Sequence, residues 1–381
     1  RIVTDLPDSL TVLDETVEFR TGCHRPGGAV LGIKNSREYA YESSFEAEYS
    51  FLDASQLDNL ESLDPSVPLG MHSYLPALIR EGESGNILLM ETDVLDYPGI
   101  FLRHSQAGFH ASFAPLMSDF KYSKRWNRRR LGSKDYIARI PGSFSLPWRI
   151  AAWAKEDKDL PTNNLAYLLA SPNRVGDISW VKPGITTWDW WNGFRLMGVD
   201  FKCGINTDFY KYHIDFAAAH GLQYILMDEG WYKAPDIMTT IPDVDLEELC
   251  SYAAQKGVRI WLWGTAHLVK MTGIDKVFDK YSRMGIAGFK LDFIDGQDQE
   301  SVRMLTDIAE SAARHHLMLD FHGIYKPCGL TRTYPNVLNF EGVYGLEQRG
   351  YDMMRNDASI PFLRQVAGPL DYTPGAMLNA G

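Results

Sequence analysis

The stretch Gly288-Phe289-Lys290-Leu291-Asp292-Phe293 combines an apolar strand pattern with a lysine and, two residues later, a carboxylate. Side chains two apart on a strand share a face, so Lys290 and Asp292 are expected to open into one site. A cation beside Asp292 favours its ionised form, the form in which a carboxylate acts as a nucleophile. Other strand-like runs also end in polar or aromatic residues: Asp189 and Trp191; Asp228, Glu229 and Trp231; Trp263; His322; and Glu341, with Glu347 six residues beyond it. Several carboxylates on one rim suit glycosyl transfer, which needs two carboxyl groups flanking an oxocarbenium-like transition state. Glu341 and Glu347 divide naturally into one catalytic group and one metal ligand, since Ca²⁺ takes hard carboxylate oxygens from several loops. Plainer uses stand beside these: a strand-end Asp caps the helix that follows, and a loop glutamate is often merely solvated. Asp292, next to Lys290 on a fourth strand, is the leading catalytic candidate.

The elements that would position these residues fall into two kinds. Residues 1–165 read as β-rich, with Thr16 to Arg20 alternating, Tyr39 to Glu42 short and exposed, and Asn86 to Glu91 a buried strand. Gly, Pro, Asp and Ser punctuate them at short intervals, a pattern that predicts a β-sandwich. Residues 166–183 form a linker, and from 184 strands alternate with helices. Strands are expected at Thr187 to Trp191, Tyr224 to Asp228, Val258 to Trp263, Gly288 to Phe293, Leu317 to His322 and Val337 to Glu341, with Arg364 to Leu370 as a seventh. Apolar residues recur at three and four over Tyr210 to His220, Leu246 to Lys256, Ile274 to Met284 and Gln299 to His315, which predicts helices. Gly221, Gly257 and Gly285 stand where left-handed caps would end them. This order predicts a (β/α)₈ TIM barrel over 184–381 whose eighth strand lies beyond Gly381, with chemistry at the carboxyl ends of its strands. The chain opens at Arg1 without an initiator Met and is expected to be a piece of a longer protein, truncated at both ends.

Composition narrows the function. The 381 residues are 45% hydrophobic and carry a net charge of −11, which supports a large core and argues against nucleic acid as a partner. No run of about 18 apolar residues is present, so no membrane span is expected. Four scattered cysteines suggest neither a zinc site nor a disulfide framework. Ten tryptophans suit stacking on sugar rings, although large barrels also bury many aromatics.

A more specific likeness rests on Trp180-Val181-Lys182-Pro183-Gly184 followed by Trp188-Asp189-Trp190-Trp191, on Met227-Asp228-Glu229-Gly230-Trp231, on His322-Gly323-Ile324-Tyr325-Lys326-Pro327 and on Arg332-Thr333-Tyr334-Pro335-Asn336. Asn339 to Glu347, Gly368 to Gly375 and Glu91 to Gly99 extend it over nearly the whole chain. In these motifs the chain resembles glycoside hydrolase family 97. The resemblance implies an N-terminal β-supersandwich, a catalytic barrel, a small C-terminal β-domain, and exo-acting, calcium-dependent hydrolysis of glycosides by an exported, periplasmic or secreted enzyme. The family contains inverting α-glucosidases and retaining α-galactosidases. Retaining members are expected to carry an aspartate at the end of the fourth strand, here Asp292. Inverting members use a glutamate near the end of the fifth, where this chain has His322-Gly323. The resemblance thus implies a retaining α-galactosidase with Asp292 as nucleophile, Glu347 as acid/base, and Glu341 and Glu91 as calcium ligands. Asp228, Trp231, Lys290, His322 and Trp191 would line the sugar site. A β-L-arabinopyranoside presents the same ring without the hydroxymethyl group and is the next substrate class, ahead of an α-glucoside; a non-catalytic sugar-binding protein is the rival from another class.

Overall fold

The computed structural model describes residues 1–20, 27–34, 41–42, 44–58, 72–105, 108–190, 193–348 and 352–374. In the first half an eight-stranded antiparallel sheet runs in the order Trp148–Ala154, Asn86–Thr92, His72–Arg80, Ile100–Ser105, Gly108–Phe113 and Glu18–Phe19, with Gly28–Lys34 and Tyr49–Asp53 joining at His72–Arg80. Strand Asn86–Thr92 explains why both faces are covered. Its alternate residues enter different cores, Leu89 with Leu102, Phe109 and Ile140, and Leu88 and Met90 with Ile150, Ala166 and Leu363. Glu42, expected at an exposed position, is instead buried and ion-paired with Arg130 at 2.8 Å. A separate hairpin, Met117–Tyr122 with Arg128–Ser133, leaves this domain toward the second half.

The second half holds a six-stranded parallel sheet in strict sequence order: Thr186–Trp188, Tyr224–Met227, Arg259–Thr265, Gly288–Asp292, Met318–Phe321 and Val337–Phe340. Parallel neighbours need crossovers, and helices supply them. Thr207–Ala219, Leu246–Gln255, Ile274–Arg283 and Gln299–Arg314 lie within a residue or a few of their predicted bounds. Three of the four start at side-chain caps, Asn206 accepting from the Phe209 N–H, Asp245 from Glu248, and Asp298 from Glu300 and Ser301, while Ile274–Arg283 follows Gly273. Gly221, Gly257 and Gly285 all have positive φ just past the helices they end. On Gln299–Arg314 the buried Val302, Leu305, Ile308, Ala309 and Ala312 form the stripe that packs on the sheet. No helix among the described residues is long and apolar enough to cross a membrane.

The expected seventh strand is absent: Arg364–Ala367 is a 3₁₀ turn. Its apolar run misled because Arg364 is fully buried, donating to the carbonyls of Phe340, Glu341, Gly342, Gly368 and Pro369. Three carbonyls at the end of the sixth strand and two just past the turn itself thereby find donors, and the chain is pulled into a turn.

The two halves are joined by buried charge. Lys326, beyond the fifth strand, reaches the Glu91 carboxylate of the antiparallel sheet and also donates to Gln297 at 2.7 Å. Glu91 in turn accepts from Arg149 at 2.6 Å and from the Ile100 N–H at 2.9 Å. Removing one member strands its partner in a dry interface, which typically costs about 3–5 kcal/mol. Lys326→Met is expected to lower stability by about that much in denaturant titration, and Glu91→Leu added to it to restore a measurable part.

Candidate active site

The carboxyl ends of the parallel strands open into a cavity of about 360 Å³. Asp292 stands at its floor. Phe293, with φ of +59°, turns the backbone so that its N–H donates to Asp292 Oδ1 at 2.7 Å, while the Trp263 indole donates to Oδ2 at 3.1 Å. Gly323 leaves the carboxylate its space. At φ of +52°, a Cβ there would lie 2.8 Å from Asp292 Oδ1 and 2.7 Å from the Phe293 nitrogen. The Gly323 N–H donates to Glu341 Oε2 at 2.8 Å, so this residue also orients the carboxylate of the neighbouring strand.

Lys290 lines the same cavity, but its ion pair is with Asp228, at 2.8 Å, not with Asp292. Asp228 also accepts from the Trp188 indole at 2.6 Å. Burial acts against both charges, yet the pair holds Asp228 below and Lys290 above the usual range. Burial dominates at Asp292, where it outweighs the through-space pull of Lys290 and His322 and leaves the carboxyl raised. The expected ionising role of Lys290 is therefore only partial.

Glu347 lines the same cavity, accepting from the Trp190 indole at 3.1 Å. Burial, and behind it the charge of Glu341, raises its carboxyl despite Lys290. His322 lies between Glu341, at 3.4 Å from Nδ1, and Asp371 and Asp320, at 2.7 and 3.4 Å from Nε2. Burial opposes its charge, but Glu341 and Asp320 hold the imidazolium well above its ordinary range.

Two expectations change, and a third falls on a residue outside the described ones. Trp231 does not line the cavity: it is fully buried, with its indole donating to the Trp263 carbonyl at 2.8 Å and its ring edge-on to Tyr281. Trp191 lies outside the described residues, and Trp190 is the indole that meets Glu347. Glu91 is held between Arg149 and Lys326, where a metal ion would face two cations. The carboxylate that the sandwich does bring to the cavity is Glu46, which accepts from Gln348 at 2.6 Å. No strand-end pattern marked it, since it lies in an irregular segment before Tyr49–Asp53. The cavity's hairpin residues Ser123, Arg125, Asn127 and Arg129 carried no signal either.

The donor chemistry fits a hard divalent cation. Glu46, Glu341 and Glu347 converge on one cavity as oxygen donors, and burial with the charge of Glu341 pushes the Glu46 carboxyl up to about 8. Asp320, His322 and Asp371 also place ligand atoms within 4.8 Å of one another. There the charged imidazole already donates to a carboxylate, so this triad reads as an ion-pair cluster rather than a calcium cage.

A parallel sheet with paired carboxyl groups at its strand ends is the arrangement of a glycosidase, and the chain belongs to glycoside hydrolase family 97. Residues 188–343 match the sequence model of glycoside hydrolase 97 and residues 4–172 that of the glycosyl-hydrolase 97 N-terminal domain. Among curated relatives the chain is 40% identical, over all of its length and 56% of the relative's, to a retaining alpha-galactosidase of Bacteroides thetaiotaomicron. It is 33% identical to a probable retaining alpha-galactosidase of Streptomyces bingchenggensis, over 96% of this chain and 54% of that protein. The chain thus spans about half the length of these relatives. In fold it resembles a family 97 enzyme from Pseudoalteromonas sp. strain K8 solved with acarbose, with a TM-score of 0.79 at 22% identity over 98% of this chain and 57% of that one.

Beneath the cavity Asp189 is buried, with its carboxyl raised to about 7 by burial and by Asp228, while it accepts from the Tyr210 hydroxyl at 2.9 Å. An acid whose folded value is raised contributes a penalty that is absent below its unfolded pKa and grows until the folded value is passed. Asp189→Asn is therefore expected to change the melting temperature little near pH 4 and to raise it increasingly up to about pH 7. A gain equal at both pH values would contradict the assignment. Gly323→Ala, in contrast, is expected to reduce turnover strongly at every pH, with a smaller change in melting temperature.

Proposed function

We propose that this chain carries the catalytic core of a retaining, exo-acting glycoside hydrolase that releases terminal α-D-galactose. The observation that carries the reading is Asp292 on the cavity floor, with Gly323 leaving it room after the fifth strand. The family membership and the retaining α-galactosidase relative at 40% identity support the same choice. We also propose that the six parallel strands belong to a (β/α)₈ barrel completed by further chain.

Glu347, raised by burial, donates its proton to the glycosidic oxygen as the Asp292 carboxylate attacks the anomeric carbon from the opposite face. The leaving group departs as an alcohol and a covalent glycosyl-enzyme remains. Glu347, now a carboxylate, removes a proton from water, which attacks the same carbon and expels Asp292, so two inversions give retention. Trp263 and the Phe293 N–H orient the nucleophile through both steps. Glu46 and Glu341 would hold Ca²⁺, which when bound orients sugar hydroxyls and offsets the carboxylate charge, leaving Glu347 to carry its proton. The Lys290–Asp228 pair presents fixed polar groups to the ring at the deep end.

With the full-length parent and p-nitrophenyl α-D-galactopyranoside, NMR is expected to record α-galactose as the first product. Asp292→Gly supplied with azide is expected to give β-galactosyl azide. First release of the β anomer, or full activity without Asp292, would overturn the mechanism. Faster cleavage of the matching β-L-arabinopyranoside would replace the substrate class alone. Chelation is expected to lower both activity and melting temperature, with recovery on adding Ca²⁺, and Glu46→Gln to weaken calcium binding about tenfold or more.

A further inference from the structure

One wall of the cavity is foreign to the strand ends. The hairpin of Met117–Tyr122 and Arg128–Ser133 crosses from the sandwich and places Ser123, Arg125, Asn127 and Arg129 on it. Its turn is closed by the Ser123 N–H on the Asn127 carbonyl at 2.9 Å and the Trp126 N–H on the Ser123 carbonyl at 3.1 Å. Arg128 anchors it from below, buried, donating to Glu300 at 2.6 Å and Asp298 at 3.3 Å. Asn127 donates to Asp295, three residues past Asp292, and the Asp295 N–H bonds the Gly323 carbonyl at 2.7 Å. The tip is thus fixed against the loop that follows the nucleophile.

Arg125 differs from its neighbours on this hairpin. Arg128 and Arg130 are committed to carboxylates, whereas the Arg125 guanidinium, among the described residues, makes no hydrogen bond or ion pair. It lies 5.1 Å above the Phe293 ring, a stacking that holds the plane while leaving its in-plane donors available. Glu229, also on the cavity wall and half-buried, feels its charge and offers acceptor oxygens.

Burial gives the cavity a direction. Lys290 and Asp228 are buried at the deep end and Asp292 is partly buried, while Arg125 is exposed at the mouth. In an exo-acting pocket the terminal ring occupies the deep end and the leaving group faces the mouth. We propose that Arg125, together with Glu229 in the same cavity lining, forms the subsite for the leaving group and selects a neutral sugar, whose hydroxyls accept from the guanidinium and donate to the carboxylate. The abundance of carboxylates in this cavity disfavours an anionic leaving group. The inference rests on the glycosidase reading above.

The test compares melibiose, whose leaving group is a sugar, with p-nitrophenyl α-D-galactopyranoside, using the full-length protein and Arg125→Ala and Arg125→Lys. The ratio of kcat/KM for melibiose over the aryl galactoside is expected to fall about tenfold in both variants, largely through KM for melibiose. Hydrolysis of the covalent intermediate occurs after the leaving group has gone, so transfer of galactose to added glucose should also fall relative to transfer to water. An equal loss on both substrates would overturn the subsite, because Arg125 would then act only by holding Phe293; so would no loss on either. Calorimetry on Asp292→Asn separates this from failure of the catalytic reading. There melibiose is expected to bind more tightly than galactose, with the advantage lost when Arg125 is also replaced. Equal affinity for the two sugars would refute the subsite even if no turnover is ever seen.

Discussion

The site is governed by a concentration of negative charge out of water. Asp292, Glu341, Glu347 and Glu46 face one cavity, and the side-chain cations beside their cluster are chiefly Lys290 and His322. Lys290 is itself held by Asp228, and His322 is shared among Glu341, Asp320 and Asp371. Backbone and indole donors make up part of the deficit, the Phe293 and Gly323 N–H groups and the rings of Trp263 and Trp190 each reaching one carboxylate. These donors orient the oxygens without neutralising them. The excess anion explains why burial lifts Glu46 so far, and why a divalent ion is the natural complement to this donor set.

Much of the scaffold was legible because it rests on local rules. Strands of alternating or continuous apolar character and helices with Asn or Asp caps and closing glycines carry their signals within a few residues. The strand-end position of Asp292 followed from the same periodicity. Legibility failed where long-range partners decide the outcome. Arg364 sits in an apolar run that reads as a strand, yet three distant carbonyls, with two local ones, recruit it into a turn. Trp231 looked like a stacking residue, but an indole beside a strand end can turn into the core as readily as into the cavity. Glu91 and Glu46 illustrate the limit: both belong to the β-rich domain, and only the docking of that domain assigns one to an ion-pair clamp and the other to the cavity.

Docking also accounts for the asymmetry of the cavity. The parallel-sheet half supplies Asp292, Lys290 and Asp228, fixed by a hydrogen-bonded sheet. The sandwich supplies Glu46 and the hairpin, fixed by the contacts of Arg128 and Asn127. Asp292 thus rests on a strand of the parallel sheet, while Glu46 and the hairpin residues reach the cavity from segments outside it.

The Lys326–Glu91 clamp has a further consequence. Because the binding cavity is complete only when the domains are docked, apparent ligand affinity equals the intrinsic affinity scaled by the docked fraction. Occupancy of the cavity must then favour docking by the same free energy, a reciprocity that thermodynamics imposes on any shared site. A pair of charges outside the cavity lining thereby enters the binding constant, and a ligand in the cavity would act as a fastener between two domains.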